Sequence, residues 1–124
     1  MLSVFALYAR ALHHVYPFFP PLYRYMTLEE VRAEITRLDE DIIRLIAKRQ
    51  SYAKKVAELK HAAGIPVHDS QRKTDVLAYV MKEAHAERLD PAPVKEIFEI
   101  LISMNEKAQR AALGEKVPPK RIVR

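Results

Sequence analysis

From Thr27 onward, apolar residues recur with a helical period. Leu28, Val31, Ile35, Leu38, Ile42, Leu45, Tyr52, Val56 and Leu59 belong to a series spaced alternately three and four apart, with Arg49 holding one place in it. An unbroken seam of this kind lies along one side of a single long helix and invites another helix against it. No Gly or Pro falls between Met26 and Gly64. Thr27 with Glu30 three residues on makes a capping box at the start, and Gly64 and Pro66 end the run, so the pattern predicts a helix to about His61. At about 1.5 Å per residue it would be about 50 Å long.

A second helix is predicted from Asp69 or Ser70, with Val76, Leu77, Val80, Met81 and Ala84 as its stripe. Asp90 as N-cap and Pro91 in the first turn open a third, which carries Val94, Ile97, Phe98, Leu101, Ile102 and Met104 and ends near Gly114. No strand pattern and no internal repeat stands out. The predicted fold class is all-α, a three-helix protomer with one long N-terminal helix. Two short helices cannot cover the whole seam of the long one, so an intertwined homodimer is expected. The alternative is a monomeric hairpin whose long helix protrudes.

Both ends differ from the middle. Residues 1–25 hold most of the aromatics, no acid, and only Arg10 and Arg24 as cations. Pro17, Pro20 and Pro21 break any helix there, and the apolar run is too short for a membrane span and lacks the basic start of a signal peptide. Three readings stay open for this extension: a start site placed upstream of Met26, a targeting or membrane-touching leader, or an accessory segment. The helical domain is expected over residues 26–114, and residues 115–124 read as a basic, Pro-containing, disordered tail.

Charge and composition then narrow the chemistry. The chain has 124 residues, 49% of them apolar and 30% charged, which is globular composition for one domain with a modest core. No Cys is present, which excludes disulfides, a thiol nucleophile and a thiolate metal site. The net charge of +5 suits a plain basic surface, a nucleic-acid binder or a site for a small anion. Arg49 lies inside the seam, whereas a phosphate-backbone binder would carry its arginines outside. Two glycines leave no Gly-rich phosphate loop, the five histidines show no metal spacing, and no Ser–His–acid set suggests itself. What remains is a site working by charge and position.

Arg49 is the first candidate, because a seam arginine needs an acid on a neighbouring helix, a route to water, or an anionic ligand. Lys60 follows eleven residues later, on the same face and about 16 Å along the axis. The gap between the two suits a small acidic ligand, although Lys60 also reads as an ordinary cation of a last helical turn. Arg32 lies about 25 Å before Arg49, too far to serve the same ligand within its own chain. It is either a surface arginine or, in an antiparallel dimer, a contribution to the other protomer's site. Asn105 and Gln109 are one turn apart on the third helix, and Asn105 extends its apolar stripe. Buried amides there bridge to another helix or face a polar ligand.

These residues lie in stretches that together resemble the all-helical chorismate mutases, including mutase domains fused to prephenate-processing enzymes. The matching text is "VRAEITRLDEDIIRLIAKRQSYAKKVAELK", then "GIPVHDSQR", then "FEILISMNEKAQ", over residues 28–112. The resemblance implies an intertwined dimer of three-helix protomers. It implies that Arg49 and the partner subunit's Arg32 grip two substrate carboxylates, and that Lys60 and Gln109 donate to the ether oxygen of the breaking bond. It further implies that Asp69 contributes through its backbone near the ring hydroxyl, that Arg72 lines the site, and that Asn105 takes a small polar position. The implied reaction is the one-step rearrangement of chorismate to prephenate in phenylalanine and tyrosine biosynthesis. It needs no cofactor and no metal. A cytoplasmic enzyme is expected, with no nucleic-acid or membrane partner.

Lys73 departs from that pattern. The family commonly has Glu directly after the site arginine, accepting a hydrogen bond from the ring hydroxyl, and Lys has no acceptor. Lys73 either turns outward, leaving the hydroxyl to water or Asn105, or marks a preference for a related substrate. Relatives of this fold cleave isochorismate to salicylate and pyruvate. An isochorismate-pyruvate lyase and a non-catalytic regulatory or partner-binding dimer are therefore the alternatives.

Overall fold

The computed structural model describes residues 25–115. The N-terminal extension apart from Tyr25, and the basic tail apart from Glu115, lie outside the described residues. These divide into two units, one ending at Leu45 and the other beginning at Ile46.

Helix α1 (Leu28–Ser51) starts as its sequence predicts. The Glu30 amide donates to Thr27 Oγ1 at 3.2 Å, which satisfies one of the donors a helix start leaves unpaired. Glu29 and Glu30 occupy its first turn and Lys48 and Arg49 its last, both favourable to the helix dipole. Tyr52 interrupts the ladder for one residue. Its backbone stays right-handed helical, but its amide reaches the Arg49 carbonyl at 3.4 Å, three residues back. Helix α2 (Ala53–Ala62) follows at once, so the predicted long helix is two segments joined by a tightened turn.

Gly64 closes α2 in the left-handed region, at φ 69°. This lets the Ile65 amide donate to the Lys60 carbonyl at 2.8 Å and the chain fold back. Helix α3 (Ser70–Ala86) begins at Asp69, whose carboxylate accepts from the Arg72 amide at 3.0 Å. It ends at Arg88, the one non-glycine residue with positive φ among the described residues. Helix α4 (Pro91–Ala112) has Pro91 in its first turn and Asp90 as N-cap, accepting from the Ala92 amide at 3.1 Å. The fold is all-α, with the second and third predicted helices starting where the sequence places them.

In the second unit, α2 and α3 each pack on α4. The buried core is small: Ala53 and Ala57 of α2, Leu77, Val80 and Ala84 of α3, and Leu101 of α4. Alanines at the contact let α2 approach α4 closely. Within the chain, α2 packs through a face other than the seam. Tyr52 and Leu59, which belong to the seam, stay well exposed, and the face turned inward lies one residue further on. On α4, Leu101 is buried as predicted, while Ile97 and Met104 are exposed.

In the first unit the seam is uncovered. Leu28, Ile35, Leu38, Ile42 and Leu45 are 42–66% exposed, and α1 contains no buried residue. Among the described residues no helix is long and apolar enough to cross a membrane.

Candidate active site

The second unit holds an open cavity of about 260 Å³ between α2, α3 and α4, with the last residues of α1 and the loop before α3 completing it. That is near the low end of small-molecule sites, roughly 300 Å³. Tyr52, Val56, Val67, Val76 and Ile102 supply apolar wall. Four cations share the lining: Arg49, Lys60, Arg72 and Lys73. Asn105 and Gln109 add amides, and Asp69 and Glu106 are its two carboxylates. Seven of the eight residues singled out in the sequence therefore meet at one cavity. Arg32 is not among them and lies on the exposed surface of α1.

Each cation is held differently. Arg49 is partly buried, and its Nη1 donates to the Leu101 carbonyl at 3.2 Å, which ties the end of α1 to α4. Burial, and secondarily the neighbouring Arg72 guanidinium, push its pKa down from the ordinary arginine value. No acid pairs with it among the described residues, so the acid-bridge reading is not what the structure shows. The Leu101 carbonyl leaves most of the guanidinium's five donors unused. A partly buried guanidinium whose charge is disfavoured by burial and by a second guanidinium beside it makes a place where an anion is welcome.

Lys60 Nζ donates to the Val67 carbonyl at 2.8 Å. The turn at Gly64 makes this possible by bringing Val67 back over α2. The bond uses one of three ammonium donors and leaves two for a ligand. Asp69 lines the cavity with its Oδ1 engaged in capping α3. Lys73, in the first turn of α3, is partly buried against the cavity and has no ion pair among the described residues.

Gln109 is 3% exposed. Its Nε2 donates to Asn105 Oδ1 at 2.5 Å, so the two amides bond to each other along α4 and not to another helix. Gln109 Oε1 is buried without a partner, an arrangement that costs about 1–3 kcal/mol. Turning both amides over keeps the bond, gives Oε1 a donor from Asn105, and frees Gln109 Nε2 to donate into the cavity.

Glu106 and His68 were not among the sequence candidates. His68 Nδ1 lies 3.0 Å from Glu106 Oε1, joining the loop before α3 to α4, and the carboxylate requires that nitrogen to be the donor. A Glu beside an amide on a polar helix face reads as solvated, and the loop that covers it comes from 38 residues away. No signal in the sequence marks that meeting.

The comparisons with known proteins identify the family. The family model described as chorismate mutase type II matches residues 31–110. The chain is 38% identical over 88 residues to the chorismate mutase of Methanocaldococcus jannaschii, a match spanning 71% of this chain and 89% of that one. It is 31% identical over 96 residues to the bifunctional chorismate mutase/prephenate dehydratase of Aquifex aeolicus, with 72% of this chain and 26% of that protein matched. For the Escherichia coli K12 protein of the same description the identity is 30% over 85 residues, with 68% of this chain and 22% of that protein matched. The match thus spans about a quarter of these two bifunctional relatives. On the family match and on identity to a relative of its own size, this chain belongs to the chorismate mutase type II family.

Proposed function

We propose that the protein rearranges chorismate to prephenate in phenylalanine and tyrosine biosynthesis, using the cavity lined by Arg49, Lys60 and Gln109. The observation that carries this reading is the set of four cations and one buried amide on a cavity whose lining has no Ser, Thr or Cys. The reaction breaks one carbon–oxygen bond and forms one carbon–carbon bond within a single molecule, so no group has to be supplied or removed. The protein has two tasks: to hold a flexible dianion in its folded conformer, and to stabilise charge growing on the ether oxygen.

Arg49 takes one carboxylate, with Arg72 close by. Lys60, steadied by the Val67 carbonyl, and Gln109, steadied by Asn105, donate to the ether oxygen. Asp69 adds backbone polarity, and Asn105 and Lys73 complete the substrate-binding wall. The second carboxylate is assigned to Arg32 of the partner subunit in a homodimer. The uncovered seam of α1 supports that assembly, since five large apolar residues exposed on one helix are what a partner helix covers. The catalytic domain is assigned to residues 26–114, and the expectation of a cytoplasmic enzyme stands as part of this reading.

Lys73 favours a second reading. A cation on the wall at that position fits an isochorismate-pyruvate lyase with the same fold. One experiment separates the two. The full-length protein is incubated with chorismate while prephenate formation is followed, and with isochorismate while pyruvate is followed. Prephenate is expected. Pyruvate from isochorismate alone would promote the lyase, and no turnover of either by a folded protein would leave a non-catalytic dimer.

A further inference from the structure

Glu106 is a cavity carboxylate with acceptor capacity to spare. Of the two carboxylates in the lining, Asp69 has its Oδ1 engaged in capping α3 at the start of that helix. Glu106 has a side chain 19% exposed, and its Oε1 accepts from His68. Its Oε2 has only Arg110 Nη1 at 4.0 Å, beyond hydrogen-bond reach. A carboxylate offers about four acceptor sites, so Glu106, which lines the cavity, retains acceptor capacity. The remaining charged lining consists of cations, which only donate. Glu106 forms no ion pair with any of the four, its pairs being with His68 and Arg110.

A ligand matched to such donors alone would carry acceptors alone. Chorismate carries two carboxylates and an ether oxygen, but also one donor, the ring hydroxyl. A hydroxyl that exchanges water for the wall of a site needs an acceptor there. We infer that Glu106, held in place by His68, accepts the hydrogen bond from the ring hydroxyl of the substrate and thereby sets specificity for it. The inference rests on the chorismate reading. The negative charge of Glu106 is tolerated beside a dianion because four cations share the cavity. His68 acts as a positioning residue: its bond to Oε1 fixes the rotamer that turns Oε2 to the ligand.

The test compares chorismate with the analogue bearing hydrogen in place of the ring hydroxyl. For the wild-type chain, kcat/KM should favour chorismate by at least about tenfold. Glu106→Ala should reduce that preference to near unity, and Glu106→Gln, which keeps an acceptor, should restore part of it. His68→Ala frees the rotamer but leaves the carboxylate, so it should lower the preference to a value between wild type and Glu106→Ala, and an unchanged preference would remove His68 from the positioning role. A purely structural Glu106 would lower turnover of both compounds in parallel. An unchanged preference in folded Glu106→Ala, checked by circular dichroism, overturns the assignment while leaving the mutase reading intact. Absence of chorismate turnover by the wild type overturns both.

Discussion

The stretch of α1 up to Leu45 and the helices from Ile46 onward use their apolar residues in opposite ways. The first exposes five large ones along a regular seam and buries none. The second buries mostly small ones, Ala53, Ala57 and Ala84 with Leu77, Val80 and Leu101, and surrounds a cavity with cations. A long amphipathic helix with no buried face gains little from packing within its own chain, and helices draw most of their stability from packing. The second region has its own small core and a nearly complete site. The difference is what the proposed dimer would use: an uncovered stretch free to assemble, carrying Arg32, and a separate stretch that holds the cavity.

The largest effect expected is on chemistry. Arg49→Ala should lower kcat/KM by about 10³-fold while the helical circular dichroism stays near wild type. Near-normal turnover would reduce Arg49 to its bond with the Leu101 carbonyl. Next is the seam. Leu38→Asp combined with Ile42→Asp should convert dimers to monomers in sedimentation and abolish turnover, although neither residue lines the cavity. In a functional monomer the same exposed positions would each shift stability by less than about 0.5 kcal/mol, and activity would persist.

A smaller effect tests the pressure that Arg72 places on the charge of Arg49. Arg72→Gln should raise the urea midpoint of the ligand-free protein and weaken substrate binding. The stabilisation that substrate gives the wild type should shrink as salt rises and the Debye length shortens. A lower midpoint in Arg72→Gln would show that Arg72 supports the fold. The smallest effects concern backbone. Gly64→Ala has open space for its Cβ but must hold φ near 69°, so it should cost about 1 kcal/mol in chemical denaturation. Arg88→Gly relieves the same kind of strain and should move stability the other way by a similar or smaller amount.

Much of this was legible in the sequence because it is local. Thr27, Gly64, Asp69 and Asp90 mark helix ends through their own short-range bonds, and Pro91 stands in a first turn that suits its fixed φ. The three-and-four spacing identified the long helix, and the cation spacing on it anticipated that Arg49 and Lys60 share a cavity. Tertiary facts were harder. The seam is a property of one helix, so it could not say that Ala53 and Ala57, and not Tyr52 and Leu59, turn inward within the chain. Small residues carry little hydrophobic signal, though they permit the closest packing. The Asn105–Gln109 bond was within reach of sequence, being one turn apart, but its direction along α4 depends on rotamers. The His68–Glu106 contact depends on how the loop after Gly64 folds back, and nothing in either residue's neighbourhood announces it.

The central claim is that each active site combines Arg49 of one protomer with Arg32 of the partner subunit. It is tested most directly by mixing two inactive variants, Arg32→Ala and Arg49→Ala, and allowing subunits to exchange. In an equimolar mixture half of the dimers are hybrids with one of two sites intact, so about a quarter of wild-type turnover should return. Mixtures that exchange subunits, as shown by differently tagged chains, yet remain inactive would contradict the shared site.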